Sequence, residues 1–321
     1  MDFDLSEEQG LIRDTARRIA ADRVAPLATI LDRGEGREAF LENLKLLAEN
    51  GFMGLNVRAD YGGTEAGAVS FALSVEEIGA ACASTGVTLS VTNMVGEVIQ
   101  AIGSEEQRRA HLPKLCDGTY PAGAFCLTEA GAGSDPSAMT ARAERSGNGW
   151  VLNGSKLYIS SAEYAGVFIV GAGTAKRAPG GRAISCFRGP AGTPGMTIGR
   201  REDKMGQHGS ATNEVHFEDC RLPADAMMGT ENDGFRIAVA ELAGGRIGIA
   251  SLALGIARAA MAAAKAYVVE RQQFGRKIAD MQGVQWMIAD RETELEAARL
   301  LILQAAFPKD AGRPFAKAAS M

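Results

Sequence analysis

Phe125-Cys126-Leu127-Thr128-Glu129-Ala130-Gly131-Ala132-Gly133-Ser134-Asp135 is a strand pattern that runs into a turn of small residues. Apolar residues alternate at its start, as in a half-buried strand. The glycines let backbone N–H groups approach a ligand, and successive amides form a concavity that binds anions. Ser134 adds a hydroxyl donor beside them. Taken alone, the pattern fits a phosphate-binding loop and an ordinary glycine-rich loop equally well.

Composition limits the class of protein. The chain has 321 residues, of which 46% are hydrophobic, enough for a large core divided among two or three domains. A net charge of -5 offers no basic surface for nucleic acid. The N-terminus lacks the basic and apolar pattern of a signal peptide, and we expect no apolar run long enough to span a membrane. The sequence therefore predicts neither a nucleic-acid partner nor a membrane partner.

Five cysteines are scattered through the chain: Cys82, Cys116, Cys126, Cys186 and Cys220. Their odd number and the lack of any CxxC pair favour reduced, mostly buried thiols, which is typical of a cytosolic protein. The three histidines are too few and too dispersed for a His-based metal site. We therefore predict a cytoplasmic protein without a bound metal.

Helical signals dominate the N-terminal third of the chain. Ser6-Glu7-Glu8-Gln9 has the capping-box pattern, and so has Ser104-Glu105-Glu106-Gln107. The second of these helices is expected to end before Pro113. Further helices are predicted over residues 39–50 and 70–82. For most of these residues the simple interpretation is a helical packing domain with a solvated, charged surface.

The hydrophobic period changes near Tyr120, where short extended runs begin. The runs on either side of Gly147-Asn148-Gly149 predict a hairpin, and Asn153-Gly154 is expected to form a second tight turn. Turn-rich segments at residues 177–182 and 189–194 separate later runs. Short strands without intervening helices predict a sandwich or a small barrel rather than a doubly wound sheet.

One glycine pattern resembles a dinucleotide fingerprint but does not complete it. Gly171-Ala172-Gly173 follows a predicted strand, yet the sixth position is Lys176, where the fingerprint has glycine. Pro179-Gly180-Gly181 also prevents the helix that the fingerprint requires. We therefore reject a Rossmann site here.

Two long alanine-rich helices are predicted toward the C-terminus, over residues 235–271 and 281–306. Gly244 and Gly245 are weak points of the first, and Pro308 is expected to end the second. Both helices are apolar around much of their circumference and so need partners on several sides. Because the chain ends before supplying them, we expect either a truncated chain or a bundle that another subunit completes.

The predicted fold class is α+β. An all-helical N-terminal domain occupies residues 1–118, a β-barrel or β-sandwich domain residues 119–228, and an incomplete helical bundle residues 229–321. This order resembles the flavin-dependent acyl-CoA dehydrogenases, and their short- and branched-chain members, isobutyryl-CoA dehydrogenases among them, are the most similar. The motifs that carry the resemblance follow the family's order: Leu127-Thr128-Glu129, residues 131–135, Asn153-Gly154-Ser155-Lys156-Leu157-Tyr158-Ile159-Ser160, Lys204-Met205-Gly206, Phe217-Glu218-Asp219-Cys220-Arg221-Leu222-Pro223, Gly244-Gly245-Arg246-Ile247 and Arg271-Gln272-Gln273-Phe274-Gly275.

The resemblance implies FAD as the cofactor and an acyl-CoA thioester as the substrate. In this family a proton leaves the α carbon and an oxidised flavin accepts the β-hydride. The residues implied in flavin binding within one chain are Phe125, Leu127, Thr128, Gly133, Ser134, Tyr158, Ile159 and Ser160. By resemblance, Thr128 would hydrogen-bond the polar edge of the ring, Tyr158 would pack on its face, and Ser160 would place a hydroxyl near N5.

Three further positions match those at which relatives reach the FAD of a neighbouring subunit: Arg271, Phe274 and Gln282. The resemblance thus implies a homo-oligomer, either a dimer or a dimer of dimers, with electron-transfer flavoprotein as a partner. The residues implied in substrate binding are Ser134, Leu242 and Arg246. Ala243 stands where relatives usually carry Asp or Asn, so one polar contact to the CoA arm is missing.

The catalytic base is not assigned to any residue of this sequence. In most relatives it is a Glu of a C-terminal segment, which we expect beyond Met321, and the position that a minority uses is Gly245 here. Glu241 lies one turn earlier but does not match that position.

The predicted function is FAD-dependent α,β-dehydrogenation of an acyl-CoA in fatty-acid or branched-chain amino-acid breakdown. Two alternatives stay open: a flavin oxidase or monooxygenase on the same fold, and an FAD- or CoA-binding protein without turnover.

Overall fold

The computed structural model describes residues 4–174 and 183–321. Within these ranges the chain forms a helical N-terminal region, a mixed β-sheet and a helical C-terminal region. This architecture confirms the predicted α+β fold class. The turn-rich segment predicted at residues 177–182 lies outside the described ranges, and so do Lys176 and Pro179-Gly180-Gly181 of the rejected fingerprint.

Six α-helices precede the sheet in the described part of the chain: α1 (Glu7–Ile19), α2 (Ala28–Asp32), α3 (Arg37–Glu49), α4 (Gly67–Ala81), α5 (Ala83–Ile102) and α6 (Glu105–Cys116). Both predicted capping boxes form. The Ser6 hydroxyl accepts from the Gln9 N–H at 3.2 Å, and Gln9 Oε1 accepts from the Ser6 N–H at 3.0 Å. Ser104 and Gln107 repeat this arrangement at the start of α6. These bonds satisfy N–H groups that the first helical turn leaves without a partner.

Helix α6 continues through Pro113, so the prediction that it ends before the proline is wrong. A proline inside a helix costs about 3 kcal/mol, because it lacks an N–H and crowds the preceding turn. Its neighbours Leu112 and Leu115 are fully buried, and burying each leucine contributes roughly 1.5–3 kcal/mol. The two effects are of similar size, so packing against the rest of the domain is enough to extend the helix past the proline.

Eight strands form one mixed sheet in the described ranges: β1 (Ala122–Cys126), β2 (Arg142–Ser146), β3 (Gly149–Ser160), β4 (Ala165–Gly173), β5 (Ile184–Pro190), β6 (Met196–Arg201), β7 (Thr212–Leu222) and β8 (Met227–Met228). Hydrogen bonding follows the order β6-β7-β3-β2-β4-β5-β8, and β1 pairs with β4. β1 runs parallel to β4, whereas β3 is antiparallel to both β2 and β7. Trp150, Phe168 and Phe187 lie in the buried core of this sheet.

The predicted hairpin is confirmed, since Ser146 of β2 pairs with Gly149 of β3. The tight turn predicted at Asn153-Gly154 is wrong, because β3 runs through it without a break. The pairing of β3 with β7 shifts register at this point, which marks a β-bulge. A Cβ at Gly154 would lie 2.7 Å from Ala141 Cα. The glycine thus allows two backbones to approach closely.

Helix α7 (Gly234–Glu270) passes unbroken through Gly244 and Gly245. After it come a short hairpin and two further helices: β9 (Gln272–Gln273), β10 (Arg276–Lys277), α8 (Gln282–Asp310) and α9 (Ala316–Ser320). α8 extends past Pro308, so the prediction that this proline ends it is wrong. A tertiary contact holds the extra turn: the Asp310 carboxylate accepts from the Ala68 and Val69 N–H groups at 2.5 and 3.1 Å and so caps α4.

Helix α7 is long and apolar enough to cross a membrane by length and composition, so the expectation that no such run exists is wrong. An 18-residue window within it has a mean hydropathy of 1.7, and 33% of that window is buried in this chain. The helix contacts α4, α5, α8 and β5. A helix packed on several sides is apolar around most of its circumference, as a membrane helix is. Length and hydropathy alone therefore do not distinguish these two environments.

Candidate functional site

The glycine-rich loop that follows β1 lies against β3. The Leu157 N–H of β3 donates to the Thr128 carbonyl at 2.9 Å. The loop also turns back on itself, because the Ala132 N–H donates to the Glu129 carbonyl at 3.0 Å. The structure thereby brings together the two sequence motifs that were expected to bind a flavin, around Thr128 and around Tyr158.

A buried ion pair joins the same two segments. The Lys156 ammonium lies 2.9 Å from Glu129 Oε1 and donates to the Leu127 carbonyl at 3.0 Å. Lys156 is 0% exposed and Glu129 is 5% exposed. Glu129 also accepts from the Thr140 N–H and hydroxyl at 2.6 and 2.7 Å, and from the Ala141 N–H at 3.0 Å. A buried pair of charges is tolerated only when hydrogen bonds satisfy both partners in this way.

The charge of Lys156 and the hydrogen bonds from Thr140 keep Glu129 ionised in spite of its burial. Burial raises the pKa of Glu129, but the charge of Lys156 and the bonds from Thr140 outweigh that effect and place the pKa below its ordinary value. Burial lowers the pKa of Lys156 against the attraction of Glu129, and its two oxygen acceptors favour the charged ammonium. Sequence reasoning gave neither residue a role. The available signal was a lysine at an inward position of a strand whose other inward residues, such as Leu152 and Ile159, are apolar.

A second bulge in β3 turns Tyr158 outward. The pairing with β7 shifts register between Lys156 and Ile159, and Tyr158 has a φ of 58°, in the left-handed region. Such a conformation costs a residue other than glycine of order 1–3 kcal/mol. The ring of Tyr158 is 62% exposed, so packing within the chain does little to offset the strain. Strain at an exposed aromatic residue indicates a candidate ligand-binding position.

The expected flavin residues divide into a surface group and a buried group. The surface group, exposed or half-buried, comprises Phe125, Thr128, Gly133, Ser134, Tyr158 and Ser160. Leu127 is 8% exposed and Ile159 is 1% exposed. Both residues belong to buried hydrophobic clusters of the chain.

The glycine turn is open on its outer side. A Cβ at Gly131 would meet nothing within 4 Å, and one at Gly133 would meet only Thr128 Cγ2, at 3.9 Å. Neither glycine has a positive φ. The packing of the chain therefore requires glycine at neither position, which is the arrangement expected where a ligand approaches the backbone. Asp135 has a structural role instead: its carboxylate accepts from the Ser137 N–H at 3.1 Å and caps a short 3-10 turn.

These residues fit a flavin held by its ring and its pyrophosphate. An exposed aromatic face at Tyr158, a half-buried hydroxyl at Thr128 and open glycine amides offer stacking, hydrogen bonding and anion binding on one surface. The first turns of α7 border this surface, because Phe235 and Ala238 pack in one cluster with Leu127. The surface formed by Tyr158, Thr128 and the glycine turn is called the flavin surface.

The other expected flavin residues, Arg271, Phe274 and Gln282, lie at the opposite end of α7. All three are exposed, Phe274 at 92%. Phe274 and Gly275 have φ values of 53° and 74°, as in the two-residue turn of a β-hairpin. One continuous helix and its cap separate Ala238 from Arg271, a distance of about 50 Å at 1.5 Å per residue. One chain therefore cannot bring these residues to its own glycine turn.

The expected substrate residues of the C-terminal region lie on α7. Leu242 and Arg246 are about one and two turns beyond Ala238, on the helix whose first turns border the flavin surface. Leu242 is 36% exposed, and Arg246 Nη1 donates to Ser320 Oγ at 2.9 Å. The third expected substrate residue, Ser134, is exposed in the glycine turn itself.

Glu241 faces a different cleft, of about 550 Å³, which Glu97 of α5 and Lys309 of α8 also line. None of the expected flavin residues lines this cleft. Burial and the charge of Glu97 raise the pKa of Glu241 to about 7, against the opposing effect of Lys309. We therefore do not assign Glu241 to the chemistry of the flavin surface.

Across residues 4–174 and 183–321, no three His, Cys, Asp or Glu side chains cluster as a metal site requires.

Sequence profiles of three acyl-CoA dehydrogenase domains match the chain: the N-terminal domain at residues 6–119, the middle domain at 124–220 and the C-terminal domain at 232–321. The short-chain specific acyl-CoA dehydrogenase of Clostridium acetobutylicum is 41% identical over 316 residues, which cover 98% of this chain and 82% of that protein. The mitochondrial short/branched chain specific acyl-CoA dehydrogenase of Rattus norvegicus is 40% identical over 317 residues, which cover 98% of this chain and 72% of that protein.

Solved structures give the same result. Butyryl-CoA dehydrogenase from Megasphaera elsdenii superposes with a TM-score of 0.94 at 38% identity, covering 100% of this chain and 84% of that chain. A chain solved in work on the electron transferring flavoprotein of Acidaminococcus fermentans has a TM-score of 0.95 at 41% identity, with the same shares covered. The fold and the flavin surface define an oxidoreductase of the flavoprotein class. The chain belongs to the acyl-CoA dehydrogenase family, and its relatives include short-chain and branched-chain members.

Proposed function

We propose that this chain oxidises an acyl-CoA thioester between its α and β carbons, with FAD as the bound cofactor. The observation that carries the proposal is the placement of Tyr158, strained and exposed, beside Thr128 and the open glycine turn. Membership of the acyl-CoA dehydrogenase family supports the same reaction. Bound FAD supplies an acceptor for the hydride that leaves the β carbon.

Each residue of the flavin surface contributes by its position. The Tyr158 ring offers a flat apolar face for stacking, and the bulged strand keeps it pointing outward. The Thr128 hydroxyl serves the polar edge of the ring, and the amides of the glycine turn bind the pyrophosphate oxygens, with the Ser134 hydroxyl beside them. Leu242 and Arg246 hold the CoA arm along α7, the arginine through charge-assisted hydrogen bonds.

The proposed substrate is a short or branched acyl-CoA, and the proposed context is fatty-acid or branched-chain amino-acid breakdown. The support is the resemblance to proteins named short-chain specific and short/branched chain specific, at 41% and 40% identity. A butyryl-CoA dehydrogenase with a TM-score of 0.94 supports the same class.

The proposed assembly is a homo-oligomer, a dimer or a dimer of dimers, that passes its electrons to an electron-transfer flavoprotein. The separation of Arg271 from the glycine turn by about 50 Å of helix supports the oligomer. The similar chain solved in work on an electron transferring flavoprotein supports the partner.

We also propose a cytoplasmic location, supported by five free, buried thiols. Burial raises the pKa of Cys126 to about 12, as in inert structural cysteines.

The test is anaerobic mixing of the flavin-loaded protein with butyryl-CoA and with isobutyryl-CoA. We expect the visible absorbance of oxidised flavin to disappear and the 2-enoyl-CoA to form. The matched control is crotonyl-CoA, which has already lost the two hydrogens and should leave the flavin oxidised. A bound flavin that no acyl-CoA bleaches would favour a binding protein without turnover. Rapid reoxidation of the reduced flavin when oxygen is admitted, with formation of hydrogen peroxide or an oxygenated product, would favour an oxidase or monooxygenase.

A further inference from the structure

We propose that Lys156 is a positioning residue that holds the glycine-rich loop and the Tyr158 bulge in a fixed relation for flavin binding. The inference rests on the proposed function, because it concerns the surface to which FAD is assigned. Lys156 is 0% exposed, so it acts on a cofactor only through the residues that it holds.

The contacts of Lys156 tie two segments of the flavin surface together. Its ammonium donates to the Leu127 carbonyl at 3.0 Å and to Glu129 Oε1 at 2.9 Å, both in the loop after β1. One residue further along β3, the Leu157 N–H donates to the Thr128 carbonyl at 2.9 Å. Three consecutive loop residues are thereby fixed to two consecutive strand residues.

Stability alone does not account for a lysine at this position. Removing an ammonium from water costs several kcal/mol, and replacing a buried ion pair by apolar side chains of similar size is often neutral or stabilising. The unbranched side chain of methionine can fill the same space. Methionine cannot donate a hydrogen bond to the Leu127 carbonyl. The contribution specific to lysine is therefore the position of the loop.

The place of Lys156 in the strand links it to the strained residue. It directly precedes the bulge in which Tyr158 has a φ of 58°. A strained conformation persists only where its surroundings over-determine it. The bonds of Lys156 and Leu157 on one side, and the buried side chain of Ile159 on the other, provide that constraint. Loss of the Lys156 bond lets the bulge relax and the ring move relative to the loop.

The first variant is Lys156→Met in the full chain, studied by titrating the flavin-free protein with FAD. Glu129 keeps its hydrogen bonds from Thr140 and Ala141 in this variant, so the loop stays attached ahead of β2 and loses only its side-chain link to β3. We expect the affinity for FAD to fall roughly 10- to 100-fold, as when an outer partner of a metal ligand is removed. The visible spectrum of the flavin that still binds should shift, because its contacts change.

The double variant Lys156→Met/Glu129→Gln separates positioning from stability. It removes the buried charge that the single variant leaves without its cation, so the melting temperature should recover part of its loss. Recovery is incomplete, because the glutamine oxygen can replace only one of the two carboxylate oxygens that accept from Thr140 and Ala141. FAD affinity should stay low, because the Leu127 carbonyl still lacks its donor. Recovery of affinity together with melting temperature would overturn the proposal. The matched control is Lys309→Met, which breaks the 2.5 Å ion pair with Glu97 outside the flavin surface and should leave FAD affinity unchanged.

The outcomes distinguish this inference from the proposed function. A wild-type chain that binds no FAD contradicts the proposed function itself. A wild-type chain that binds FAD, while both Lys156 variants bind it equally well and with the same spectrum, overturns only the role of Lys156. If the single variant does not fold, the double variant carries the comparison, since it has no unpaired buried charge.

Discussion

At the scale of single residues, two positions of one strand face opposite environments. Lys156 is 0% exposed and Tyr158 is 62% exposed, although residues two apart on a regular strand point to the same face. The bulge between them changes the direction of the chain and turns Tyr158 outward. A charge inside and an aromatic ring outside reverse the usual distribution, and such exceptions are expected at functional sites.

Replacing Tyr158 by glycine should stabilise the flavin-free protein and weaken FAD binding. Glycine adopts a φ of 58° without the strain of about 1 kcal/mol or more that tyrosine carries there, whereas FAD loses its stacking face. Thermal melting and FAD titration measure the two effects. Tyr158→Phe is the matched control, because it keeps both the ring and the strain. A glycine variant that binds FAD as tightly as the wild type would show that the ring is not part of the site.

At the scale of elements, helices α5 and α7 meet along a seam of small residues. A Cβ at Gly248 would lie 2.2 Å from Ser90 Oγ, and one at Gly245 would lie 3.1 Å from Met94 Sδ. Gly245 was expected to weaken α7 because glycine has a low helix propensity. In the folded chain it allows a second helix to pack closely, and tertiary packing of this kind provides most helical stability in proteins.

The carboxyl group of Glu241, at the end of this seam, should make stability depend on pH. The pKa of Glu241 is raised from 4.5 to about 7 by burial and by Glu97, with Lys309 opposing. A raised pKa means that the folded state binds a proton more tightly than the unfolded state. The stabilisation is therefore fully present below the unfolded pKa and is lost as the pH rises through about 7.

Glu241→Gln, which stays neutral, should accordingly melt close to the wild type at acidic pH and a few degrees above it at alkaline pH. Melting temperatures of both proteins, measured from acidic to alkaline pH, test this expectation. Glu270→Gln is the matched control, because Glu270 is an exposed residue in the last turn of the same helix. If the difference in melting temperature between wild type and Glu241→Gln is the same at every pH, the raised pKa is contradicted.

At the scale of the whole molecule, α7 separates two parts of the expected cofactor site by about 50 Å. In a symmetric pair of chains, the far end of one α7 can reach the glycine turn of the other. The surface around this end is rich in exposed hydrophobic side chains, with Phe274 at 92%, Met287 at 68% and Trp286 at 60% exposure. Aromatic residues and methionine are enriched at protein interfaces.

Co-expression of two defective variants should restore part of the FAD binding. One carries Arg271→Glu and the other Gly133→Val, so each alone lacks one half of every site. In a mixed dimer, one of the two sites combines an intact turn with an intact arginine, and random pairing restores about a quarter of the wild-type sites. FAD content per purified chain measures the recovery, with each variant alone as control. If the co-expressed variants bind no more FAD per chain than either variant alone, a site shared between subunits is contradicted.

Local signals predicted most of the elements, because they depend on residues close in the chain. The capping box at Ser6 and the hairpin at Gly147-Asn148-Gly149 formed as predicted. The predictions that failed, at Pro113, Asn153-Gly154 and Pro308, concern places where a distant partner outweighs local preference. Buried leucines extend the first helix, a close backbone approach replaces the turn by a bulge, and a capping contact to α4 extends the last helix.

The amino-acid sequence by itself determined which chemical groups are available and in what order: a glycine turn, an aromatic residue on a strand and an arginine after a long helix. Tertiary structure decided which of them meet. It buried the Lys156–Glu129 pair, exposed the ring of Tyr158 and placed Arg271 beyond the reach of its own glycine turn. The physical reason is that burial, backbone strain and long-range contacts depend on the neighbours that folding brings together. Spacing along the chain does not contain that information.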